Sequence, residues 1–125
     1  MSLKSLNSTQ KSAVEAIDGP VLIFAGAGSG KTRVLTHKLF YLVKEGIFKA
    51  EEILAVTFTN KAAKEMKDRV MKLLKTNELP LSIGTFHSIC ARILREDIKT
   101  LGFSNHFAIY DVKDQLDLIK VLFEE

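Results

Sequence analysis

The spacing of apolar positions changes repeatedly along the chain, and each change marks an element. Asn7 can cap a helix, with Gln10 three residues on as in a capping box, and Ala13, Val14 and Ile17 then fall on one helical side. Asp18-Gly19-Pro20 ends that helix. The unbroken run Val21-Leu22-Ile23-Phe24 predicts a strand, continuous in apolar residues as a central parallel strand is. Helical spacing returns from Lys31 to about Lys44, with Val34, Leu35, Leu39, Leu42 and Val43 inward and Gly46 suited to the stop. Ile53 to Phe58 predicts a second strand. Asn60 caps a helix to about Lys75, with Ala62, Ala63, Met66, Val70, Leu73 and Leu74 on one side. Leu81 to Gly84 predicts a short third strand, and Thr85 to Leu101 a long helix ended by Gly102. Phe107 to Tyr110 reads as a fourth extended segment, after which Asp111 caps a last helix through Phe123. Strands alternating with helices predict an α/β fold, a parallel sheet covered by helices on both faces.

One loop carries explicit chemistry. Ala25 to Thr32 read A-G-A-G-S-G-K-T between the first predicted strand and the second helix. Glycines allow a tight turn whose backbone N–H groups face phosphate oxygens, here along Ala27, Gly28, Ser29 and Gly30. Lys31 supplies a charge for the β- and γ-phosphates, and the Thr32 hydroxyl suits Mg²⁺. The helix that follows adds its N-terminal partial charge. The pattern G-x-x-x-x-G-K-[ST] has glycine first, whereas this chain has Ala25, at the strand end where a negative φ tolerates it.

Composition narrows the setting. The chain has 125 residues, 46% of them hydrophobic, enough for one core and too few for two nucleotide-binding domains. A net charge of +3 permits a polyanionic partner without demanding one. Cys90 is the single cysteine, which excludes an internal disulfide and points to a reducing compartment; its position predicts a small buried hydrophobe. No apolar run approaches the roughly 18 residues of a membrane span, and no signal peptide opens the chain, so a cytoplasmic protein is expected. His37, His87 and His106 have no partner pattern for a metal. The basic residues between Lys61 and Lys75 are spread around their helix and diluted by Glu65 and Asp68, as on a solvated face. Leu116, Leu118, Ile119, Leu122 and Phe123 require a surface to bury against, so the chain is expected to be part of a larger protein.

Four stretches, Leu6 to Gln10 (LNSTQ), Ala25 to Val34 (AGAGSGKTRV), Val56 to Met66 (VTFTNKAAKEM) and Gly84 to Ser88 (GTFHS), resemble the start of the first RecA-like domain of the UvrD/PcrA/Rep DNA helicases of superfamily 1. That family uses the loop with alanine in the place of Ala25, and TFTNKAA favours this branch over the RecB and AddA helicase-nucleases. The resemblance implies a P-loop NTPase (RecA-like) fold, partial over residues 1–110, with 111–125 leading toward an inserted helical subdomain. It implies ATP and Mg²⁺ as ligands. Gln10 would read the adenine edge, which an amide can do with one donor and one acceptor; from the residues alone it is a capping residue. Arg33 would approach the nucleotide; on sequence alone it is a solvated first-turn arginine. Phe58 would stack on a base of single-stranded DNA, with Thr59 and Asn60 on phosphates, Lys61 nearby, and Thr85 and His87 on the DNA backbone. Asp111 imitates the strand-end aspartate that holds Mg²⁺, but Val112 follows where the family needs Glu, so it reads as a helix cap.

The implied parent is an ATP-dependent DNA helicase and translocase of 3′-to-5′ polarity, acting in repair or replication at single-strand and duplex-junction DNA, in the cytoplasm with the nucleoid. ATP would sit between two RecA-like domains. No Asp-Glu pair follows a hydrophobic strand here, so this stretch alone is expected to hydrolyse ATP poorly or not at all. The other classes considered are a stand-alone nucleotide-binding module and a small P-loop kinase; the latter needs a lid and an acceptor pocket that the sequence does not show.

Overall fold

The computed structural model describes residues 3–124, except the side chains of Lys4 and Glu124. The chain divides into two compact units, Met1–Ile89 and Cys90–Glu125.

In the first unit a 3₁₀ turn, Leu3–Ser5, leads to α1 (Ser8–Glu15). Helix α2 (Lys31–Lys44) follows the glycine-rich loop. Strand β1 (Leu54–Thr57), helix α3 (Asn60–Leu74) and strand β2 (Ser82–Thr85) then form a β-α-β crossover. The strands pair in parallel, in register from Leu54↔Ser82 to Thr57↔Thr85. The core lies among α2, α3 and this pair. Leu39 meets Met66, Val70, Ile53, Leu79 and Leu81 there, with Leu42, Ala55 and Ile83 at its edge. Each such side chain, fully buried, is worth about 1.5–3 kcal/mol in removal from water. Thr36 is buried among apolar neighbours because its own helix satisfies it: Oγ1 reaches the Thr32 carbonyl at 2.6 Å and that of Arg33 at 3.0 Å.

The strand expected at Val21–Phe24 is not formed. Among the described residues β1 and β2 pair only with each other, and the run 21–24 has no ladder partner. Leu22 is 78% exposed and Phe24 91%. An apolar run becomes a strand only when neighbours take its N–H and C=O groups. The expected wider sheet is therefore a pair. Three further expectations are corrected. Thr59, not Asn60, caps α3, because Thr59 stays extended and its Oγ1 accepts from the Ala62 N–H at 3.1 Å. Leu35 is exposed, since Val34 and Thr36 take the inward face of α2. Cys90 is exposed, while Ile89 beside it is buried.

Helix α4 (Phe86–Asp97) runs from the end of the first unit into the second. It gives way to a 3₁₀ turn, Ile98–Leu101, closed by Gly102 at φ 82°, so the expected single helix to Leu101 tightens in its last turn. The expected extended segment Phe107–Tyr110 forms no ladder. Arg95 instead holds its approach, donating to the Asn105 carbonyl at 3.2 Å and lying over the Phe107 ring at 4.7 Å. Helix α5 (Val112–Glu124) starts as predicted: Asp111 Oδ1 accepts from the Asp114 N–H at 2.9 Å, and Asp114 answers at 3.0 Å. Among the described residues no helix is long and apolar enough to cross a membrane.

Candidate functional site

The loop before α2 is shaped by two residues in the left-handed region, Gly28 at φ 75° and Gly30 at φ 90°. A side chain at Gly28 would be strained by the backbone alone; at Gly30 its Cβ would also stand 3.1 Å from Gln10 Nε2. The Gly26 carbonyl closes the turn, accepting from Ser29 N–H at 3.3 Å and Ser29 Oγ at 2.7 Å. Ala27 lies in the turn between them.

Helix α2 opens without a side-chain cap, and its first ladder bond is from Val34 N–H to the Gly30 carbonyl at 2.9 Å. The N–H groups of Lys31, Thr32 and Arg33 have no acceptor among the described residues. These donors stand at the positive end of a 14-residue helix. Lys31 folds back beside them, its Nζ donating to the Ala25 carbonyl at 3.0 Å and the Gly26 carbonyl at 2.7 Å. Thr32 is exposed, and its hydroxyl has no hydrogen bond among the described residues. Free N–H groups, an ammonium and an unengaged hydroxyl form a rim suited to an anion and its counter-cation.

Helix α1 borders this rim. Gln10 completes the predicted capping box: Asn7 Oδ1 accepts from Gln10 N–H at 2.8 Å and Gln10 Oε1 from Asn7 N–H at 3.2 Å. Its Nε2 also donates to the Ser29 carbonyl at 3.1 Å, across 19 residues of sequence. One amide hydrogen and one lone pair remain for another group. Gln10, Thr9, Phe24, Gly26, Ser29 and Lys31 share a cavity of about 270 Å³. A larger hollow of about 370 Å³ opens elsewhere, by Lys11, Phe40 and Lys44; Glu15 and Glu45 offset its cations, and it lacks the free backbone donors. Arg33 is neither free in solvent nor turned to the loop: its Nη2 donates to the Ser5 carbonyl at 2.7 Å.

The sequence left one tie unannounced. Lys38, half-buried on α2, donates to the carbonyls of Ala13 and Ala16 at the end of α1. Burial lowers its pKa from the ordinary lysine value. No local pattern marks a mid-helix lysine for this task.

The second group of expected residues gathers where β1 and β2 end side by side, at Thr57↔Thr85. Phe58 follows β1 and is 96% exposed. Thr59 is committed to capping, while Asn60 and Lys61 are exposed in the first turn of α3. At β2, Thr85 Oγ1 accepts from Ser88 N–H at 3.2 Å, and Ser88 Oγ accepts from Thr85 N–H at 2.9 Å. His87 is exposed, as is Phe86 at 68%, an aromatic side chain between the two expected contacts Thr85 and His87. The edge thus offers two aromatic side chains and two helix starts.

Residues 6–125 match the UvrD/REP helicase N-terminal domain. The chain is 52% identical over 123 residues to the ATP-dependent DNA helicase PcrA of Bacillus subtilis (strain 168), covering 98% of this chain and 17% of that protein. It is 50% identical over 118 residues to the protein of the same name from Staphylococcus aureus (strain Mu50), covering 94% and 16%. The counterpart in Staphylococcus epidermidis is 52% identical over 118 residues, with the same coverage of 94% and 16%. The chain therefore spans about a sixth of the length of these relatives. On the match from residue 6 to residue 125, the chain belongs to the UvrD/REP helicase N-terminal domain family.

Proposed function

We propose that the chain is the ATP-binding part of an ATP-dependent DNA helicase and translocase, moving 3′ to 5′ along one strand in repair or replication, in the cytoplasm with the nucleoid. The observation that carries this reading is the uncapped start of α2, with its free N–H groups and the exposed Thr32, beside a cavity that Lys31 and Ser29 line together with Gln10. The names of the relatives, ATP-dependent DNA helicases, support it. On this reading the fold is that of a P-loop NTPase, RecA-like over residues 1–110. Val21–Phe24 then completes a central strand within the whole protein, and 111–125 leads toward an inserted subdomain.

Each residue then has a task. Backbone N–H groups from Ala27 to Arg33 hold the phosphates, and Lys31 exchanges its two carbonyl partners for β- and γ-phosphate oxygens. Mg²⁺, when bound, neutralises charge on those phosphates, with the Thr32 hydroxyl as this chain's ligand. Gln10 spends its remaining donor and acceptor on the adenine edge. Arg33 gives its backbone N–H to the phosphates, while its guanidinium stays on the Ser5 carbonyl. The carboxylates that activate water, and the arginines that meet the γ-phosphate, come from outside this stretch. At the strand ends Phe58 stacks a base, Asn60 and Lys61 meet phosphates with the α3 N-terminus, and Thr85 and His87 meet the backbone at α4. Thr59 contributes through its cap.

Both groups of residues lie at the starts of helices in one unit, so domain closure around ATP would alter the grip on DNA. Lys31→Ala in the full-length protein should abolish ATP hydrolysis while leaving circular dichroism and melting unchanged; retained turnover overturns the assignment. Stimulation of hydrolysis by single-stranded DNA separates a motor from a P-loop kinase or a passive binding module.

A further inference from the structure

Helix α1 has eight residues and one buried side chain, Val14. A helix this short does not persist unaided in water, yet it carries Gln10. What holds it is a set of ties to the loop and to α2. Gln10 Nε2 bonds the Ser29 carbonyl, Arg33 bonds the Ser5 carbonyl, and Lys38 bonds the carbonyls of Ala13, at 3.1 Å, and Ala16. The last of these differs in kind. Ala16 N–H reaches Ser12, but the carbonyls of Ala13 and Ala16 receive no backbone N–H among the described residues. They are the unsatisfied acceptors at the negative end of α1, and an ammonium answers both.

We propose that Lys38 is a positioning residue for the nucleobase side of the ATP site, fixing Gln10 by clamping the end of α1 onto the helix that follows the phosphate loop. The inference rests on the reading of Gln10 as the adenine contact. Its geometry is that of a splint. Lys38 and the free N–H groups of Lys31, Thr32 and Arg33 share α2, while Gln10 and the carbonyl of Ala13 share α1, with Ala16 at its C-cap. Loss of the ammonium frees α1 to shift and leaves α2, with its donors, in place. The base therefore loses its partner while the triphosphate keeps its own.

The test is steady-state hydrolysis by the full-length protein with saturating single-stranded DNA, ATP and GTP being compared as substrates. Lys38→Met keeps the aliphatic stem and removes the charge. It should raise KM for ATP about three- to tenfold, the worth of the one ordinary hydrogen bond that a displaced Gln10 loses to the base, with a much smaller fall in kcat. Preference for ATP over GTP should shrink toward that of Gln10→Ala. Lys38→Arg, which can also span two carbonyls, should restore both values. In the Gln10→Ala background Lys38→Met should add less than about twofold, because the two act as one unit. An unchanged KM and preference in Lys38→Met overturns the proposal, as does an undiminished effect in the Gln10→Ala background. Should Lys38→Met fail to fold, Lys38→Gln is read by the same criteria. If the wild type does not distinguish ATP from GTP, the adenine reading itself falls and Lys38 falls with it. Wild-type preference lost in Gln10→Ala but kept in Lys38→Met refutes the splint alone.

Discussion

Alanine at Gly84 would add one methyl group where β2 runs into the first turn of α4. Gly84 is absent from the positive-φ positions, so the backbone tolerates alanine and the cost lies in contact. The added Cβ would stand 2.6 Å from Ser88 Oγ and 3.1 Å from Ile89 Cγ1. Ser88 Oγ cannot simply turn away. It accepts from Thr85 N–H at 2.9 Å and Thr85 Oγ1 at 3.1 Å, and donates to the Thr85 carbonyl at 3.0 Å. Ile89 is buried, so its retreat presses on the core. Overpacking of this kind costs about 1–3 kcal/mol. Losing one of the capping bonds adds roughly 1 kcal/mol, for a total near 2–4 kcal/mol. Urea unfolding of the 125-residue chain, followed by far-ultraviolet circular dichroism, reads this directly. A loss below about 0.5 kcal/mol refutes the steric account, since that is the ordinary range of surface changes. The pair with Ser88→Ala tests the cause: removing Oγ should recover about 1 kcal/mol or more of the penalty. A penalty unchanged in that background places the strain elsewhere.

Phe58→Ala should lower DNA-stimulated ATP hydrolysis by the full-length protein more than basal hydrolysis. DNA affinity should weaken by about 1–3 kcal/mol, the worth of one stacked base, and the melting temperature should barely move for a side chain 96% exposed. Equal loss of basal and stimulated rates would show that Phe58 supports the fold instead. At the start of α3, Thr59→Ala should cost about 1 kcal/mol in urea unfolding and Asn60→Ala far less, the reverse of what sequence alone suggests. Equal costs would mean that both residues share the cap.

The elements legible in the sequence are those decided by residues close together. The capping box of Asn7 and Gln10, the cap at Asp111 and the full span of α2 depend on signals within a few positions. The glycine-rich loop is equally local, since Gly28 and Gly30 set its shape and Lys31 and Thr32 follow directly. Where two residues of the same type compete, sequence does not choose. Thr59 and Asn60 are both good caps, and the strand-like backbone of Thr59, φ −126° and ψ 149°, settles which of them stands outside the helix. Leu35 shows a related limit: the inward arc of α2 also takes Thr36, whose hydroxyl is satisfied within its own turn and so can be buried. Long-range ties were wholly hidden. The bond from Gln10 to Ser29 spans 19 residues and those from Lys38 span 25 and 22, and nothing beside either residue announces them. The run Val21–Phe24 differs again. Its apolar continuity is a statement about neighbours, and a strand exists only once their N–H and C=O groups are at hand. The same exposed run leads directly into Ala25 and Gly26, the two carbonyls that hold Lys31. A neighbour that paired with this run would therefore also fix the lysine's resting partners, and on the proposed reading the geometry from which it would reach a phosphate.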